Sequence, residues 1–322
     1  MPKRAAAAAA VLAAGTLLKC AVDRCYASAD EPAARASVTG LPSKQTVAIT
    51  GAAGELGGVM IAMMQARGHA IVAIDRTRGS NETVERWHVL DLAAATVSEM
   101  EKIFEGVDSV IHLAALPKPW ESYANVYASN MALDYTVIAA AAAAPSVKRL
   151  VYASTNHVQH GASMRSTPET LDSTRFGAHL GAKGEPLMKT SDQPLPDSFY
   201  ATSKLNGENL CRYFAQQSGL VSVCMRIGWI VIEDDPRLSK WVENDDHREY
   251  MRAMHLSHRD CDELFARALT VALPAEVSLG RKGGACATCY AVSANARRVF
   301  DLEGTARALG YRSQDNAEKY YS

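Results

Sequence analysis

Thr50-Gly51-Ala52-Ala53-Gly54-Glu55-Leu56-Gly57 stands between a short apolar run, Gln45–Thr50, and a segment with apolar residues at helical spacing, Glu55–Arg67. The run reads as a strand and the segment as a helix stopped by Gly68. Gly51 permits the tight turn between them. Gly54 lets backbone N–H groups approach a pyrophosphate, and Gly57 lets helix and strand pack closely. The helix N-terminus, beginning at Glu55 and Leu56, then faces the phosphate charge. The spacing is G-x-x-G-x-x-G, and its strand-before, helix-after context marks a dinucleotide site rather than an ordinary glycine turn.

The next elements extend the pattern. Strands are expected at Ala70–Ile74, Arg86–Leu90, Ser109–Leu113, Val147–Ala153 and Val221–Arg226. Helices are expected at Val97–Phe104, Tyr123–Ala143 and Tyr200–Gln217. Continuously apolar strands alternating with helices imply an α/β fold, a Rossmann-like doubly wound parallel sheet buried on both faces. Asp75 ends the second strand, 18 residues after Gly57. A carboxylate there accepts hydrogen bonds from ribose hydroxyls and repels a 2′-phosphate, so NAD is favoured over NADP. Arg76 beside it could pair with such a phosphate. Asp91 and Leu92 follow the third strand, where they could face the adenine; for Asp91 the plainer reading is a helix N-cap.

Stretches 158–199 and 232–262 break the alternation and fall at the carboxyl edge of the sheet, where ligands bind in open α/β folds. The organisation read from this is one NAD-binding domain, 44–322. It carries a small substrate cap from 158–199, 229–288 and the C-terminal stretch. Tyr200-x-x-x-Lys204 opens the helix there. Residues at i and i+4 share a face. A lysine ammonium stabilises a phenolate that at its ordinary pKa, near 10, would be a poor base.

The chain has 322 residues and a formal charge of −1, which excludes a strongly basic nucleic-acid surface. Residues 1–43 differ from the rest. Lys3 and Arg4 precede an apolar run, Ala5–Leu18, too short for the roughly 20 residues of a membrane span. Lys19 and Arg24 against a single Asp23 favour a mitochondrial or other organellar leader over a secretory one; a disordered extension of a cytoplasmic protein is the plain alternative. Seven cysteines form no dense framework, and an odd number in a chain this long suggests a reducing compartment. Cys286-x-x-Cys289 lacks two further ligands at matching spacing. His157/His160 and His255/His258 stand in no metal motif, so no metal is expected.

The glycine spacing, Asp75, Asp91-Leu92, His112-Leu113-Ala114-Ala115, Asn130 and Tyr200-x-x-x-Lys204 together resemble an extended short-chain dehydrogenase/reductase over about residues 45–228. The resemblance implies that Leu113, Ala114 and Ala115 line the cofactor. It also implies a catalytic hydroxyl at Thr155, with Ser154 the second candidate, a tyrosine base at Tyr200, a ribose-binding lysine at Lys204, and Asn130 on a proton-relay water. Ser154-Thr155-Asn156-His157, Arg226-Ile227-Gly228, Leu256-Ser257-His258-Arg259-Asp260 and Leu309-Gly310-Tyr311 are similar to uronate dehydrogenases and haloarchaeal NAD-dependent glucose-6-phosphate dehydrogenases. Those enzymes oxidise the anomeric carbon of a pyranose to a lactone, and the match puts substrate contacts on Asn156, His157 and Arg226. Two departures bear on the substrate. Leu116-Pro117-Lys118-Pro119-Trp120 replaces a substrate-binding serine, and the segment from Asn156 to Tyr200 is longer than in uronate dehydrogenases. Arg165, Arg175, Lys183 and Lys189 in that segment could hold a phosphate, or be solvated. The expected activity is therefore NAD-dependent oxidation of a hexuronate, aldose or hexose phosphate. The alternatives are a sugar-nucleotide epimerase/dehydratase and a non-catalytic dinucleotide-binding subunit. A homodimer through the helices at 123–143 and 200–217 is the expected assembly.

Overall fold

A computed structural model describes residues 41–163 and 187–321. Residues 1–40 of the expected leader (1–43), and Arg165, Arg175 and Lys183, lie outside the described residues. The strands are β1 (Thr46–Thr50), β2 (Ala70–Asp75), β3 (Arg86–Val89), β4 (Ser109–His112), β5 (Arg149–Thr155), β6 (Val221–Ile227), β7 (Ser278–Leu279) and β8 (Gly284–Ala291). They form one sheet in the order β3-β2-β1-β4-β5-β6-β8-β7. Every pairing is parallel except β7 against β8.

The helices are α1 (Glu55–Ala66), α2 (Val97–Ile103), α3 (Tyr123–Val126), α4 (Ala132–Ala143), α5 (His160–Ser163), α6 (Phe199–Ser218), α7 (Asp245–Met254), α8 (His258–Thr270) and α9 (Glu303–Leu309). Side chains alternate across the sheet with period two. Val47, Ile49, Ile71 and Ala73 pack with Met60, Ile61 and Met64 of α1 and Leu264 and Phe265 of α8 on one face. Ala48, Val72 and Ile74 pack with Met100 of α2, Val137 of α4 and Phe214 of α6 on the other. Burial on both faces is why these strands read as unbroken apolar runs. A third cluster holds Tyr250, Met251, Met254, Val292 and Phe300.

Two elements depart from the sequence expectation. β8 belongs to the sheet, although residues 284–288 were assigned to the cap. Its sequence, Gly-Ala-Cys-Ala-Thr-Cys-Tyr-Ala, is small and poor in β-branched residues because α6 lies directly on it. A Cβ at Gly284 would stand 1.9 Å from the Ala215 carbonyl oxygen. The expected helix over 123–143 is interrupted by a π turn, Tyr127–Met131, between α3 and α4. No helix among the described residues is long and apolar enough to cross a membrane.

Candidate active site

A cavity of about 1040 Å³ opens at the carboxyl ends of β1, β4, β5 and β6. Its wall includes Gly51, Gly54, Glu55, Leu56, Gly57, Asp75, Asp91, Leu92, Leu113, Ala114 and Ala115 at one end. Thr155, Asn156, His157, Tyr200 and Lys204 line the other. Asn130 and Arg226 are not part of it.

The glycine loop is shaped by close approach. Gly51 has φ of +73°, a left-handed conformation that costs glycine little. A Cβ on Gly57 would lie 2.2 Å from the Gly51 carbonyl oxygen, so the turn closes on α1 only without a side chain there. Asp75 Oδ2 accepts from the Ala53 N–H at 2.9 Å, which ties the end of β2 to this loop. Asp91 Oδ1 accepts from the Ala93 N–H at 3.1 Å and so stabilises its own turn. The N-cap of α2 is instead Thr96, in a capping box with Glu99.

At the catalytic end, Ser198 caps α6 by accepting from the Ala201 N–H and sets Tyr200 and Lys204 on one face. Thr155 stands with Tyr200 in the cavity wall, its Oγ1 donating to Asn156 Oδ1 at 3.3 Å. Burial pushes the tyrosine upward, and Thr155 works against that shift. Ser154, one residue earlier on β5, donates to Glu208 at 2.7 Å, so of the two hydroxyl candidates Thr155 is the one facing Tyr200. Lys204 is buried, and its Nζ has no hydrogen-bond partner among the described residues. It lies 4.0 Å from Asp134 Oδ1 and 4.6 Å from the Tyr152 ring centroid. Burial pushes the lysine down and Asp134 pulls it back up. Asp134 also accepts from the Tyr152 hydroxyl at 2.7 Å and pairs with His112 Nε2 at 3.1 Å, while His112 Nδ1 meets Thr50 Oγ1 at 2.6 Å. Of this supporting set, Thr50 and His112 figure in the sequence only within the quoted motifs, and Asp134 and Tyr152 are not singled out there. Its signal was a lone carboxylate, Asp134, in an alanine-rich helix with no solvated face.

Asn130 sits in the π turn behind the wall. Its Oδ1 accepts from the Leu116 N–H at 2.7 Å and its Nδ2 donates to Ser203 Oγ at 3.1 Å and to the Leu116 carbonyl. The side chain thus joins the loop after β4 to α6.

Arg226, where the resemblance implies a substrate contact, does not line the cavity. Its guanidinium is fully buried and bound through Nε and a terminal nitrogen to both carboxylate oxygens of Glu208, at 2.9 Å each. Glu208 lies one helical turn beyond Lys204, so β6 and α6 are tied together where a ligand contact was expected. Lys189 is exposed and outside the wall. Among the described residues, Arg76 and Lys204 are the only lysine or arginine side chains lining the cavity. Around Asn156 and His157 the wall is instead Pro117, Trp120, Trp229, Ile230, Trp241 and Tyr250. The Asn156 amide donates to the Tyr250 hydroxyl at 3.3 Å.

His157, His160 and Asp197 bring ligand-type atoms within 4.8 Å of one another, a grouping not apparent in a sequence that separates them by up to forty residues. Cys286 and Cys289 point to opposite faces of β8, as residues three apart on a strand must.

The cavity suits a dinucleotide on three counts: a loop that only glycine closes, a carboxylate at the end of β2, and a buried lysine Nζ without a protein partner. The family model described as NAD-dependent epimerase/dehydratase matches residues 47–231. An L-arabinose 1-dehydrogenase (NAD(P)(+)) of Haloferax volcanii is 36% identical over 274 residues, 84% of this chain and 97% of that protein. The NAD-dependent glucose-6-phosphate dehydrogenase of the same organism is 27% identical over 86% of this chain and 95% of its own length. The crystal structure of uronate dehydrogenase from Agrobacterium tumefaciens, 23% identical, shares the fold with a TM-score of 0.65, covering 87% of this chain and 88% of that one. With the glycine loop, the Tyr200–Lys204 face and a family match over more than half its length, the chain belongs to the NAD-dependent epimerase/dehydratase family.

Proposed function

We propose that this protein oxidises the anomeric carbon of a free, uncharged aldopyranose to its lactone, using NAD. The observation that carries the choice of sugar is the cavity wall at the Asn156–His157 end, which is aromatic and, among the described residues, holds no arginine and no lysine besides Lys204, the residue assigned to the nicotinamide ribose. A carboxylate or phosphate is recognised by a bidentate arginine or an ammonium, and Arg226 is committed to Glu208. A neutral sugar instead needs hydrogen bonds to its hydroxyls and apolar faces for its C–H surfaces. The relative named L-arabinose 1-dehydrogenase supports the same reading.

The Gly51–Gly57 loop and the α1 N-terminus would hold the pyrophosphate, Asp75 the adenosine ribose and Lys204 the nicotinamide ribose. NAD, when bound, accepts the hydride from C1. Tyr200 as phenolate takes the proton of the C1 hydroxyl. Thr155 keeps that oxygen in line and opposes the rise that burial imposes on the tyrosine. Loss of one hydride and one proton leaves C1 doubly bonded to oxygen beside the ring oxygen, which is a lactone. The test is NADH absorbance with neutral aldoses, galacturonate, glucuronate and glucose 6-phosphate, with hydroxylamine trapping of the product. Turnover of an aldose above the acids and the phosphate is expected. Turnover confined to charged sugars, or conversion of a UDP-sugar without net NADH, overturns it.

The homodimer has its own support. Tyr123 and Tyr127 stack at 5.9 Å on the outer surface of α3 and the π turn, and Tyr123 meets Phe199 of α6 edge-on at 5.5 Å. All three are more than half exposed, an aromatic patch of the kind that marks an interface. Light scattering that finds only monomer would exclude it.

A further inference from the structure

We propose that Asp197, backed by His160, is a positioning residue that fixes the tautomer and aim of His157, so that His157 meets the sugar as a hydrogen-bond acceptor. The proposal rests on the reading of the site as a sugar pocket.

His157 Nδ1 lies 2.7 Å from Asp197 Oδ2. A carboxylate accepts only, so Nδ1 carries the proton and donates. Nε2 then keeps its lone pair. Nδ1 is the ring nitrogen bonded within the protein, and Nε2 makes no protein hydrogen bond among the described residues. The ring stands in the cavity wall, 6.2 Å centroid to centroid from Tyr200 and edge-on to it. The imidazole therefore offers an acceptor beside the reacting hydroxyl. A sugar hydroxyl, unlike a carboxylate, phosphate or ketone, can donate to it.

Asp197 is itself held on every side. Its Oδ1 accepts from Ser198 Oγ at 2.8 Å, and Ser198 caps the helix that carries Tyr200. Its backbone N–H donates to the His157 carbonyl at 3.4 Å. His160 Nδ1 is 3.5 Å from the same Oδ2, and the two imidazoles are 4.4 Å apart. The His160 ring is fully buried, parallel to Phe300 and edge-on to Tyr250. That box holds His160 against Asp197 Oδ2, the same oxygen that meets His157.

The same three side chains could be read as a metal site, but the spacing disagrees. Ligand atoms about 2.1 Å from a tetrahedral zinc stand about 3.4 Å apart, whereas 2.7 Å between Nδ1 and Oδ2 is a charge-assisted hydrogen bond.

The experiment has two readouts on the full chain with NAD. The first is ¹⁵N NMR of histidine-labelled protein without sugar, assigned with His157→Gln. The expected result is a protonated Nδ1 and a bare Nε2 on His157 in the wild type, and loss of that single tautomer in Asp197→Ala. The second is kinetics with the best aldose of the panel. Asp197→Ala should raise KM for the sugar about tenfold or more while the Kd for NAD stays put, and Asp197→Asn, which keeps an acceptor oxygen for the Nδ1–H, should recover part of the loss. A protonated Nε2 in the wild type, an unchanged KM in Asp197→Ala, or spectra and rates that shift when a chelator is added each overturn the proposal. If no free sugar is turned over, the functional reading fails while the NMR still decides the tautomer.

Discussion

Asp134 Oδ1 stands 4.0 Å from Lys204 Nζ, and neither side chain reaches solvent. An ammonium buried without a partner is costly and tends to lose its proton. Asp134 is the charge that opposes this, and it sits on α4 at a distance that leaves the lysine free for a ribose.

Removing that charge should move the whole pH profile. Asp134 raises Lys204 against the dominant effect of burial, and it adds to the upward push of burial on Tyr200. In Asp134→Asn both groups lose protons at lower pH. The acid limb of kcat/KM, set by the tyrosine becoming phenolate, and the alkaline limb, set by the lysine losing its charge, should both shift to lower pH. Limbs that stay in place would remove Asp134 from the catalytic network.

Tyr200→Phe keeps the ring packing and deletes the base. General base catalysis contributes about 10²–10⁴, so kcat should fall by about that factor while NAD affinity, measured by fluorescence titration, stays the same.

Asp75 should govern the choice of dinucleotide. Asp75→Ala removes the repulsion of a 2′-phosphate and leaves Arg76 beside it to pair with one. The ratio of kcat/KM for NADP over NAD is expected to rise tenfold or more, and an unchanged ratio would place the discrimination elsewhere.

Glu208 and Arg226 form a buried pair, with Ser154 and Arg212 also on the Glu208 carboxylate. Glu208→Ala strands the guanidinium and should destabilise the fold by about 3–5 kcal/mol in urea titration. Replacing both, Glu208→Leu with Arg226→Met, should recover most of that stability and leave KM for the sugar within about twofold. A large KM change in the double variant would return Arg226 to the substrate.

Acid should unfold the protein through its buried histidines. Burial depresses His160 and His255 from 6.5 to about 4. A folded-state pKa below the unfolded one gives stability that is whole above pH 6.5 and is lost as pH falls toward 4. For the fully buried His160 this amounts to on the order of 3 kcal/mol. His160→Gln should flatten urea midpoints across that window, and a midpoint that falls as steeply as in the wild type would contradict it.

What could be read from the sequence was whatever is local. The glycine loop, Asp75 and the Tyr200–Lys204 face depend on neighbours within one turn or one strand end. The identity of the facing hydroxyl, Thr155 or Ser154, needed the pleat of β5, which turns successive residues to opposite sides. The Arg226–Glu208 pair was not legible because the two stand eighteen residues apart on different elements, and the arginine of Arg226-Ile227-Gly228 looks the same whether it meets a ligand or a carboxylate. β8 escaped because close packing under α6 selects small residues, which erase the strand signal.

The two rims of the sheet have a consequence for the protein in solution. At one end the last strand is the four-residue β3, bearing Arg86 and His88. At the other, the two-residue β7 runs against the sense of β8. Beyond β7, the Thr305 hydroxyl of α9 donates to the Tyr290 carbonyl of β8 at 2.9 Å. Short, charged or covered borders give an incoming chain no long row of unpaired amides to copy. Eight strands are thereby stacked side by side without a template for fibril growth, and loosening α9 from β8 is the change that would create one.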